Sequence, residues 1–429
     1  MAHIQINLNE HIKKMKPMHG GGQPPVTSTA SDVFFHYLTE AGIPYSRLHD
    51  VGGAFGQGKY VDIGNIFRDF GADVNHPDSY DFTFTDLLIE QLIKAGVEPY
   101  FRLGETIENA AHVKSYRISP PEDLQKWAEI CEHIILHYTE GWANGFRYKI
   151  TYWEIWNEPE NPSKENWTGT NEEFYRLYEV TARHLKSRFP HLKIGGYGAT
   201  GVYGCHLPHE ERNENDKKLH VFFEGFMKHV KEHNVPLDFF SWHNYVEASY
   251  IITCDRWLRE EMDRLGFNNV ELHLNEWDPY AQELGTAHHA AEIAAVTIGM
   301  QHGHEDVCCI YDMRTVSAPY CPLFNPITHK PIHGYYSLVA FNALYQLGTQ
   351  AGSACDTKDL HVLAATNGKS FALLVSNLTG KPQELDFEGV DLSAARYHVI
   401  DQEHLLSWSP AVNTIENNQV LLIESPIAF

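Results

Sequence analysis

Two short acidic motifs in the chain mirror each other. Asn157-Glu158 ends the run WEIWNE, and Asn275-Glu276 ends the run LHLNE; each follows apolar residues and lies beside a tryptophan. A carboxylate in apolar surroundings costs free energy unless it is paired or hydrogen-bonded. Two acids in equivalent settings therefore indicate a shared chemical role.

A pair of carboxyl groups facing one cavity is the minimum equipment for hydrolysing a glycosidic bond. One group is held protonated and delivers a proton to the leaving oxygen. The other stays ionised and attacks or stabilises the positively charged sugar carbon. Burial and like charge favour the protonated form, whereas hydrogen bonds favour the ionised form, so the surroundings of Glu158 and Glu276 would set their states.

Three further acids lie near these motifs in the predicted elements. Glu154 falls within a strand, where an ion pair with Arg47 or Arg102 inside the fold is expected rather than catalysis. Glu160 lies beyond a proline, and we expect it behind the site or in solvent. Glu105 ends another strand, and a substrate contact and a structural ion pair are equally expected there.

Short apolar strands alternate with amphipathic helices along most of the chain. Seven strands are predicted over residues 44–51, 97–106, 149–159, 192–199, 237–246, 270–278 and 306–313. This alternation indicates βαβ units and a parallel sheet. With an eighth strand expected among residues 51–82, the pattern predicts an α/β fold of the (β/α)₈ barrel type. A doubly wound sheet is the alternative, but no glycine-rich nucleotide loop follows the first strand, and GGGQPP at 20–25 is interpreted as a loop.

The chain changes character near residue 349. Strand-like segments separated by turns follow, and the Asn-Gly-Lys turn at 367–369 is typical of a β-hairpin. These features predict a small antiparallel β-sandwich over 349–429 and place the catalytic barrel at 16–348. The strand-like IQINL within residues 1–15 is expected to pack on the β domain.

Catalytic groups of a barrel of this type lie at the carboxyl ends of its strands. Polar and aromatic residues cluster at these predicted ends. The candidates for substrate binding are Asn157, His49, His243, Tyr245, Glu105, Trp167, Trp277 and Tyr311. For Trp167 and Trp277, stacking on a sugar ring and packing in the core are equally expected.

The same motifs carry a resemblance to a known family. WEIWNEPE, SWHNY and LNEWD follow one another as in the clan A glycoside hydrolases. Within the clan, the sequence is most similar to family 39, which contains β-xylosidases and α-L-iduronidases. The resemblance covers most of the barrel and includes EEFYRLYEVTARHLKSRFPHLKIGG. RLH at 47–49 and DFFSWHNY at 238–245 are similar to the family's first-strand and sixth-strand segments, more loosely.

This resemblance implies a role for each matching residue. Glu158 would be the general acid/base, and Glu276 would be the nucleophile. Asn157 would bind the sugar 2-hydroxyl. Members of the family retain the configuration of the sugar, which implies carboxyl groups about 5–5.5 Å apart.

The resemblance also implies a lining for the sugar site. His243 and Tyr245 would face the sugar, with Tyr245 a candidate to hydrogen-bond the nucleophile, and His49 would bind hydroxyls at the innermost subsite. Two positions depart from the family pattern: Glu160 stands where Asn is frequent, and Asn275 stands where Thr is common. Together with the extra acid Glu105, these departures weaken the iduronidase interpretation, because additional acids disfavour a uronic acid substrate.

Composition excludes several classes of partner. The net charge is −23, which argues against nucleic acid and anionic membranes, since both require a basic surface. No apolar run approaches the ~20 residues that span a bilayer. The N-terminal residues lack a signal-peptide pattern, and the seven cysteines show no spacing typical of a disulfide framework. We therefore expect a cytoplasmic protein, although a secreted chain trimmed of its signal would look the same.

Neither a cofactor nor a metal is expected. The 27 histidines include no HExxH motif and no Cys/His ligand spacing. A metal-dependent barrel hydrolase and a non-catalytic carbohydrate-binding barrel remain as alternatives of a different class.

The residues and the resemblance together predict a retaining, exo-acting glycoside hydrolase that takes the terminal sugar from short oligosaccharides. Long connections at 51–82, 200–217 and 313–333 would wall in a pocket. β-D-Xylosidase is the best substrate expectation. α-L-Arabinosides, β-galactosides, β-glucosides and α-L-iduronides are the alternatives, and the oligomeric state is open.

Overall fold

The computed structural model describes residues 1–26, 33–49, 51, 61–106, 118–163, 166–279, 283–316 and 320–427. Its first strand, β1 (Ala2–Lys14), lies outside the barrel. The barrel consists of eight parallel strands that close in chain order, so that the last strand pairs with the first. They are β2 (Gly20–Gly22), β3 (Tyr45–Leu48), β4 (Glu98–Leu103), β5 (Tyr152–Ile155), β6 (Lys193–Ala199), β7 (Phe239–Asn244), β8 (Glu271–Trp277) and β9 (Val307–Tyr311). The predicted (β/α)₈ barrel is confirmed.

One strand of the barrel is not where the sequence places it. The prediction of a strand within 51–82 is wrong for the described part of that segment, which contains a short helix and a 3₁₀ turn; residues 52–60 lie outside the described residues. The missing strand is β2, within GGGQPP, and RLH at 47–49 therefore lies at the end of the second strand of the barrel instead of the first. A Cβ on Gly21 would stand 2.2 Å from the Met313 sulfur, and one on Gly20 would stand 2.6 Å from the Cys308 carbonyl oxygen. Only glycine fits this close approach, so the strand carries no apolar pattern.

Helices surround the barrel. In the described residues they are α1 (His36–Glu40), α2 (Ile63–Ile66), α3 (Thr83–Lys94), α4 (Leu124–Thr139), α5 (Asn171–Arg188), α6 (Glu214–Glu232), α7 (Ala248–Leu265), α8 (Ala287–His302) and α9 (His333–Tyr345). A capping box begins α5, because Thr170 accepts from the Glu173 N–H and Glu173 accepts from the Thr170 N–H. None of the helices in the described part of the chain combines the length and apolar character that crossing a bilayer requires.

A nine-stranded, mainly antiparallel sheet forms the second unit. Besides β1, its strands are β10 (Thr349–Cys355), β11 (Leu360–Thr366), β12 (Ser370–Asn377), β13 (Gln383–Glu388), β14 (Arg396–Ile400), β15 (Leu405–Ser409), β16 (Thr414–Ile415) and β17 (Val420–Pro426). The antiparallel C-terminal fold is confirmed as one curled sheet whose inner face encloses its own apolar core. β1 lies between β10 and β13 in this sheet. The domain limits at residues 15 and 348 stay predictions.

The outer face of the curled sheet packs against the barrel. Leu363, Leu374 and Leu422 belong to the same apolar core as the buried residues of α8 and α9. Ser376 donates a hydrogen bond to the Ala291 carbonyl of α8 at 2.7 Å. The sheet therefore covers two barrel helices.

Candidate active site

The candidate site residues come from the carboxyl ends of six barrel strands. His243, Glu276, Trp277 and Tyr311 lie in the last positions of β7, β8 and β9, while His49, Glu105, Asn157, Glu158 and Tyr245 follow β3, β4, β5 and β7 directly or within three residues. Parallel strands bring these ends to one face of the barrel.

The backbone turns sharply after β5. Trp156 and Glu158 have φ values of 75° and 46°, in the left-handed region that side chains other than glycine seldom adopt. The Glu158 N–H donates to the Gly198 carbonyl at 2.8 Å and holds this turn against β6. A conformation of this kind costs about 1–3 kcal/mol and clusters at functional sites.

Glu158 is held by three polar neighbours. Its Oε1 lies 2.7 Å from His243 Nδ1, and Asn161 Nδ2 donates to its Oε2 at 2.8 Å. Asn166 reaches the same Oε2 at 3.5 Å. The side chain keeps 13% of its surface exposed, compared with 8% for Glu276.

Glu276 is more enclosed than Glu158. The Tyr245 hydroxyl donates to its Oε1 at 2.5 Å, and Arg47 Nη1 donates to its Oε2 at 2.8 Å. Burial raises the pKa of Glu276, and the charge of Glu158 raises it further, while His243, Arg47 and the Tyr245 hydrogen bond act in the opposite direction. These donors favour the ionised carboxylate that a nucleophile requires.

The two glutamates meet at His243. Its Nδ1 lies 2.7 Å from Glu158 and 3.8 Å from Glu276. One oxygen of each carboxyl group and this nitrogen all lie within 4.8 Å of one another. Among the described residues this is the only group of three or more His, Cys, Asp or Glu side chains that has the geometry to hold a metal ion.

Arg47 is the centre of the polar network beneath the site. It donates to Glu154 Oε2, Asn157 Oδ1 and Glu276 Oε2 at 2.7, 2.7 and 2.8 Å. Of the two partners predicted for Glu154, the structure has Arg47, while Arg102 pairs with Asp62. Burial opposes ionisation of Glu154, yet Arg47, Ser241 and Asn275 together lower its pKa. A single buried cation, Arg47, therefore holds the side chains of both Asn157 and Glu276 in place.

Asn275, one of the two predicted departures from the family pattern, makes contacts within the network. Its Nδ2 donates to Glu154 Oε1 at 2.7 Å and to the Tyr100 hydroxyl at 3.3 Å. A threonine side chain at this position would reach one bond less far, and its hydroxyl would offer a single O–H where the amide of Asn275 offers two N–H groups. Asn275 thus contributes to holding Glu154 ionised.

The other predicted site residues either line an aromatic wall or are packed in buried surroundings. His49, Tyr311 and Tyr245 form one aromatic wall, with neighbouring rings 6.4 Å apart. Trp167 and Glu105 point into packed surroundings: Trp167 contacts Trp156, and Glu105 is 2% exposed and accepts from the Gly64 N–H. Trp277 is fully buried. For Trp167 these contacts are those of core packing.

The sequence did not predict the additional contacts of Arg47 or the position of Tyr320, whereas Glu160 lies behind the site, which is one of the two positions expected for it. Tyr320, 46% exposed, lies 5.3 Å from the Tyr245 ring and extends the aromatic wall outward. Glu160 is buried behind Glu158, accepts from the Thr200 N–H at 2.8 Å, and has its pKa raised to about 8 by burial and by Glu158. An acid directly beyond an Asn-Glu-Pro motif was the signal available for Glu160.

Comparison with known proteins places these features in context. The sequence model for Glycosyl hydrolases family 39 matches residues 39–346. A β-xylosidase of Geobacillus stearothermophilus is 24% identical over 316 residues, which are 67% of this chain and 58% of the relative. A β-xylosidase of Caldicellulosiruptor saccharolyticus is 26% identical over 174 residues, 39% of this chain and 31% of the relative. The matches thus span less than two thirds of either relative.

Solved structures share the whole architecture. A glucosidase from Croceicoccus marinus superposes with a TM-score of 0.79 at 20% identity, covering 99% of this chain and 98% of that chain. A monomeric β-xylosidase from Caulobacter crescentus CB15 gives 0.71 at 16% identity and covers 100% of both chains. The superpositions establish the fold, a barrel with an attached sheet, and at identities of 20% and 16% they establish the fold alone.

Proposed function

Because the chain belongs to family 39 of the glycosyl hydrolases, we propose that it is a retaining, exo-acting glycoside hydrolase. It removes the terminal sugar from short oligosaccharides by double displacement, and β-D-xylosides are the preferred substrates. Glu158 is the general acid/base and Glu276 is the nucleophile.

One observation carries the proposal of retention. Oxygens of Glu158 and Glu276 lie within 4.8 Å of each other. Retaining enzymes hold their carboxyl groups about 5–5.5 Å apart, whereas inverting enzymes leave about 6.5–9.5 Å for a water molecule between acid and base. The short separation supports direct attack by one carboxylate on the sugar.

In the first step, Glu276 attacks the anomeric carbon while the bond to the leaving oxygen breaks. Glu158 passes its proton to that oxygen. Arg47 and Tyr245 hold the attacking carboxylate by one oxygen each, which fixes its direction. Asn157, oriented by Arg47, is placed for a hydrogen bond to the 2-hydroxyl that strengthens in the transition state.

In the second step, water attacks the glycosyl ester of Glu276. Glu158 now accepts the proton of that water, and Glu276 leaves as a carboxylate. His243 Nδ1 lies 2.7 Å from Glu158 and 3.8 Å from Glu276, so it is positioned to respond to the change of charge on both acids. The sugar leaves with its original configuration.

Two features support the substrate part of the proposal. The β-xylosidases among the relatives favour a pentose, and long connections after the strands, such as 200–213 between β6 and α6, favour an enclosed exo-site. A β-glucoside is the next candidate because a glucosidase shares the whole fold.

A panel of nitrophenyl glycosides tests this function. We expect the highest kcat/KM on the β-D-xyloside, with the β-D-glucoside, β-D-galactoside and α-L-arabinoside below it, and the same panel would include an α-L-iduronide. Proton NMR of the first-formed sugar should show the anomer of the substrate. Release of the opposite anomer would contradict retention, and a higher rate on another sugar would replace xylose.

A metal-dependent hydrolase is the second candidate, and the Glu158, His243 and Glu276 cluster is the observation that favours it. Dialysis against a chelator separates the two. Full activity after chelation supports the proposed double displacement. Loss of activity that returns with Zn²⁺ or Mn²⁺ would favour the metal-dependent reaction.

A further inference from the structure

Two buried cysteines face each other beside the candidate active site. Cys205 lies in the connection after β6, and Cys254 lies in the second turn of α7. Their sulfur atoms are 3.4 Å apart, and both side chains are buried. The residues are far apart in sequence, so the tertiary fold creates this contact.

Among the described residues, the sulfur atoms of no other two cysteines lie in contact. Cys308 contacts the sulfur of Met18, and Cys321 contacts Asp312. Cys308 and Cys309 are successive residues of β9, so their side chains point to opposite faces of the strand.

The two thiols have different surroundings. Contact with the Cys254 thiol, the N–H of His206 and the charge of Arg212 together lower the pKa of Cys205. Contact with Cys205 and burial raise the pKa of Cys254. Cys205 is also the more accessible of the two, with 4% of its surface exposed. A lowered pKa favours the thiolate, which is the nucleophilic form of cysteine, so Cys205 is the sulfur of the pair that is better suited to react first.

We propose that Cys205 and Cys254 form an oxidisable pair that hydrogen peroxide converts to a disulfide. The Cys205 thiolate attacks one peroxide oxygen, the O–O bond breaks, and the departing hydroxide takes a proton to become water. Cys254 then attacks the sulfenic sulfur, the S–O bond breaks, and the hydroxide leaves with the Cys254 proton as a second water. Two thiols lose two electrons to one peroxide, and the sulfurs approach by a further ~1.4 Å.

The bond would join two elements that support the sugar site. Cys205 follows Tyr203, whose hydroxyl accepts from the Tyr245 N–H at 3.3 Å. Cys254 accepts from Asn244 Nδ2 at 3.7 Å, and Asn244 lies between His243 and Tyr245. The disulfide would therefore fix the 200–206 connection to α7 around Tyr245. A cross-link over this length of chain restricts the unfolded state, so we expect slower heat inactivation.

Mass spectrometry of the full-length protein tests the proposal directly. After treatment with a few equivalents of peroxide, we expect a loss of 2 Da and a non-reduced peptide pair that joins Cys205 to Cys254. Dithiothreitol should reverse both changes. Oxidation that leaves this pair as free thiols while other cysteines react would overturn the proposal.

Variants assign the role of each sulfur. In Cys254→Ser, peroxide should leave a sulfenic acid at Cys205 that dimedone traps, and in Cys205→Ser no dimedone adduct should form at Cys254. Cys355→Ser is the matched control, because Cys355 is the most exposed cysteine but has no sulfur neighbour in the described residues; its response should equal that of the wild type. Trapping at Cys254 alone would reverse the assignment and contradict the proposed step. If a variant fails to fold, the wild-type peptide map decides alone.

Heat inactivation provides a second measurement. Oxidised wild-type protein should survive longer at a fixed temperature than its reduced form, and Cys205→Ser should show no difference between the two treatments. An equal gain in Cys205→Ser would show that the cross-link is not its cause and would overturn that part of the proposal.

Discussion

The hydroxyl of Tyr245 donates a hydrogen bond to Oε1 of Glu276 at 2.5 Å. This bond stabilises the ionised carboxylate and opposes the effect of burial, which raises the pKa of Glu276. In the proposed mechanism Glu276 must be ionised to attack the sugar, so this hydrogen bond should help to set the pH below which activity falls.

Tyr245→Phe should therefore move the acid limb of kcat/KM to higher pH. Removing a hydrogen bond to a charged group is worth about 1.5–3 kcal/mol, which corresponds to about one to two pH units. A pH–rate profile on an aryl glycoside measures the shift. Tyr250→Phe is the matched control, because the Tyr250 hydroxyl bonds the Gly204 N–H instead of a carboxylate, and it should leave the acid limb in place. An unchanged limb in Tyr245→Phe would mean that Glu276 does not set it.

Glu276→Ala should lower kcat on every glycoside by at least about 10⁴-fold, because the proposed first step needs its carboxylate to form the bond to the sugar. Circular dichroism should match that of the wild type. Glu271→Gln is the control on the same strand: Glu271 lies at the opposite end of β8 and pairs with Lys193. Substantial activity in Glu276→Ala would transfer the nucleophile to another residue.

Glu158→Ala should lose activity on oligosaccharides while keeping measurable turnover of aryl glycosides with good leaving groups, which need no proton. Added azide should raise that turnover and yield a glycosyl azide of retained configuration, because the small anion takes the place of the removed base. Product analysis by NMR decides. Full activity of Glu158→Ala on oligosaccharides would refute the acid/base role.

Arg47→Met should destabilise the fold by about 3–5 kcal/mol, since it leaves the buried Glu154 without its cation. Urea unfolding followed by tryptophan fluorescence measures this loss. The double variant Arg47→Met/Glu154→Gln should lose less than the sum of the two single variants, because the isolated charge is gone. Strict additivity would show that the pair does not interact.

Glu160→Gln should stabilise the protein increasingly between about pH 4.5 and pH 8. The pKa of Glu160 is raised to about 8 in the folded state, so the folded state holds a proton that the unfolded chain releases near its ordinary pKa of about 4.3. Stability contributed by this proton falls as the pH rises through that window, by an amount on the order of 3 kcal/mol. Urea unfolding at pH 5 and pH 8 measures the difference. The exposed Glu172→Gln should show no such trend.

Regular features of the fold were predictable from the sequence. Seven barrel strands carry an apolar pattern, and the clusters at their ends follow from the way parallel strands meet. β2 was not predicted, because its close packing against Cys308 and Met313 admits only glycine, and a run of glycines shows no hydropathy pattern. A strand made only of glycines cannot be recognised from an alternation of apolar and polar side chains.

The acids of the site were predictable, but only one of the three contacts that Arg47 makes in the site was. Glu158 and Glu276 stand in recognisable motifs, and the pairing of Glu154 with Arg47 followed from an acid within a strand. That the same guanidinium also holds Asn157 and Glu276 depends on where three strands bring their ends together. Contacts between side chains at the ends of different strands cannot be recognised from the local sequence.

The position of β1 has a consequence for how the chain acquires its fold. β1 pairs with β10, yet the whole barrel lies between these two strands in the sequence. The entropy of closing so long a loop grows only slowly with its length, but the pairing must wait until the ribosome has released β10. Until then β1 exposes an unpaired strand edge, which is a template for association with other chains. The interval between synthesis of the barrel and closure of the sheet is therefore the period when a chaperone would matter most.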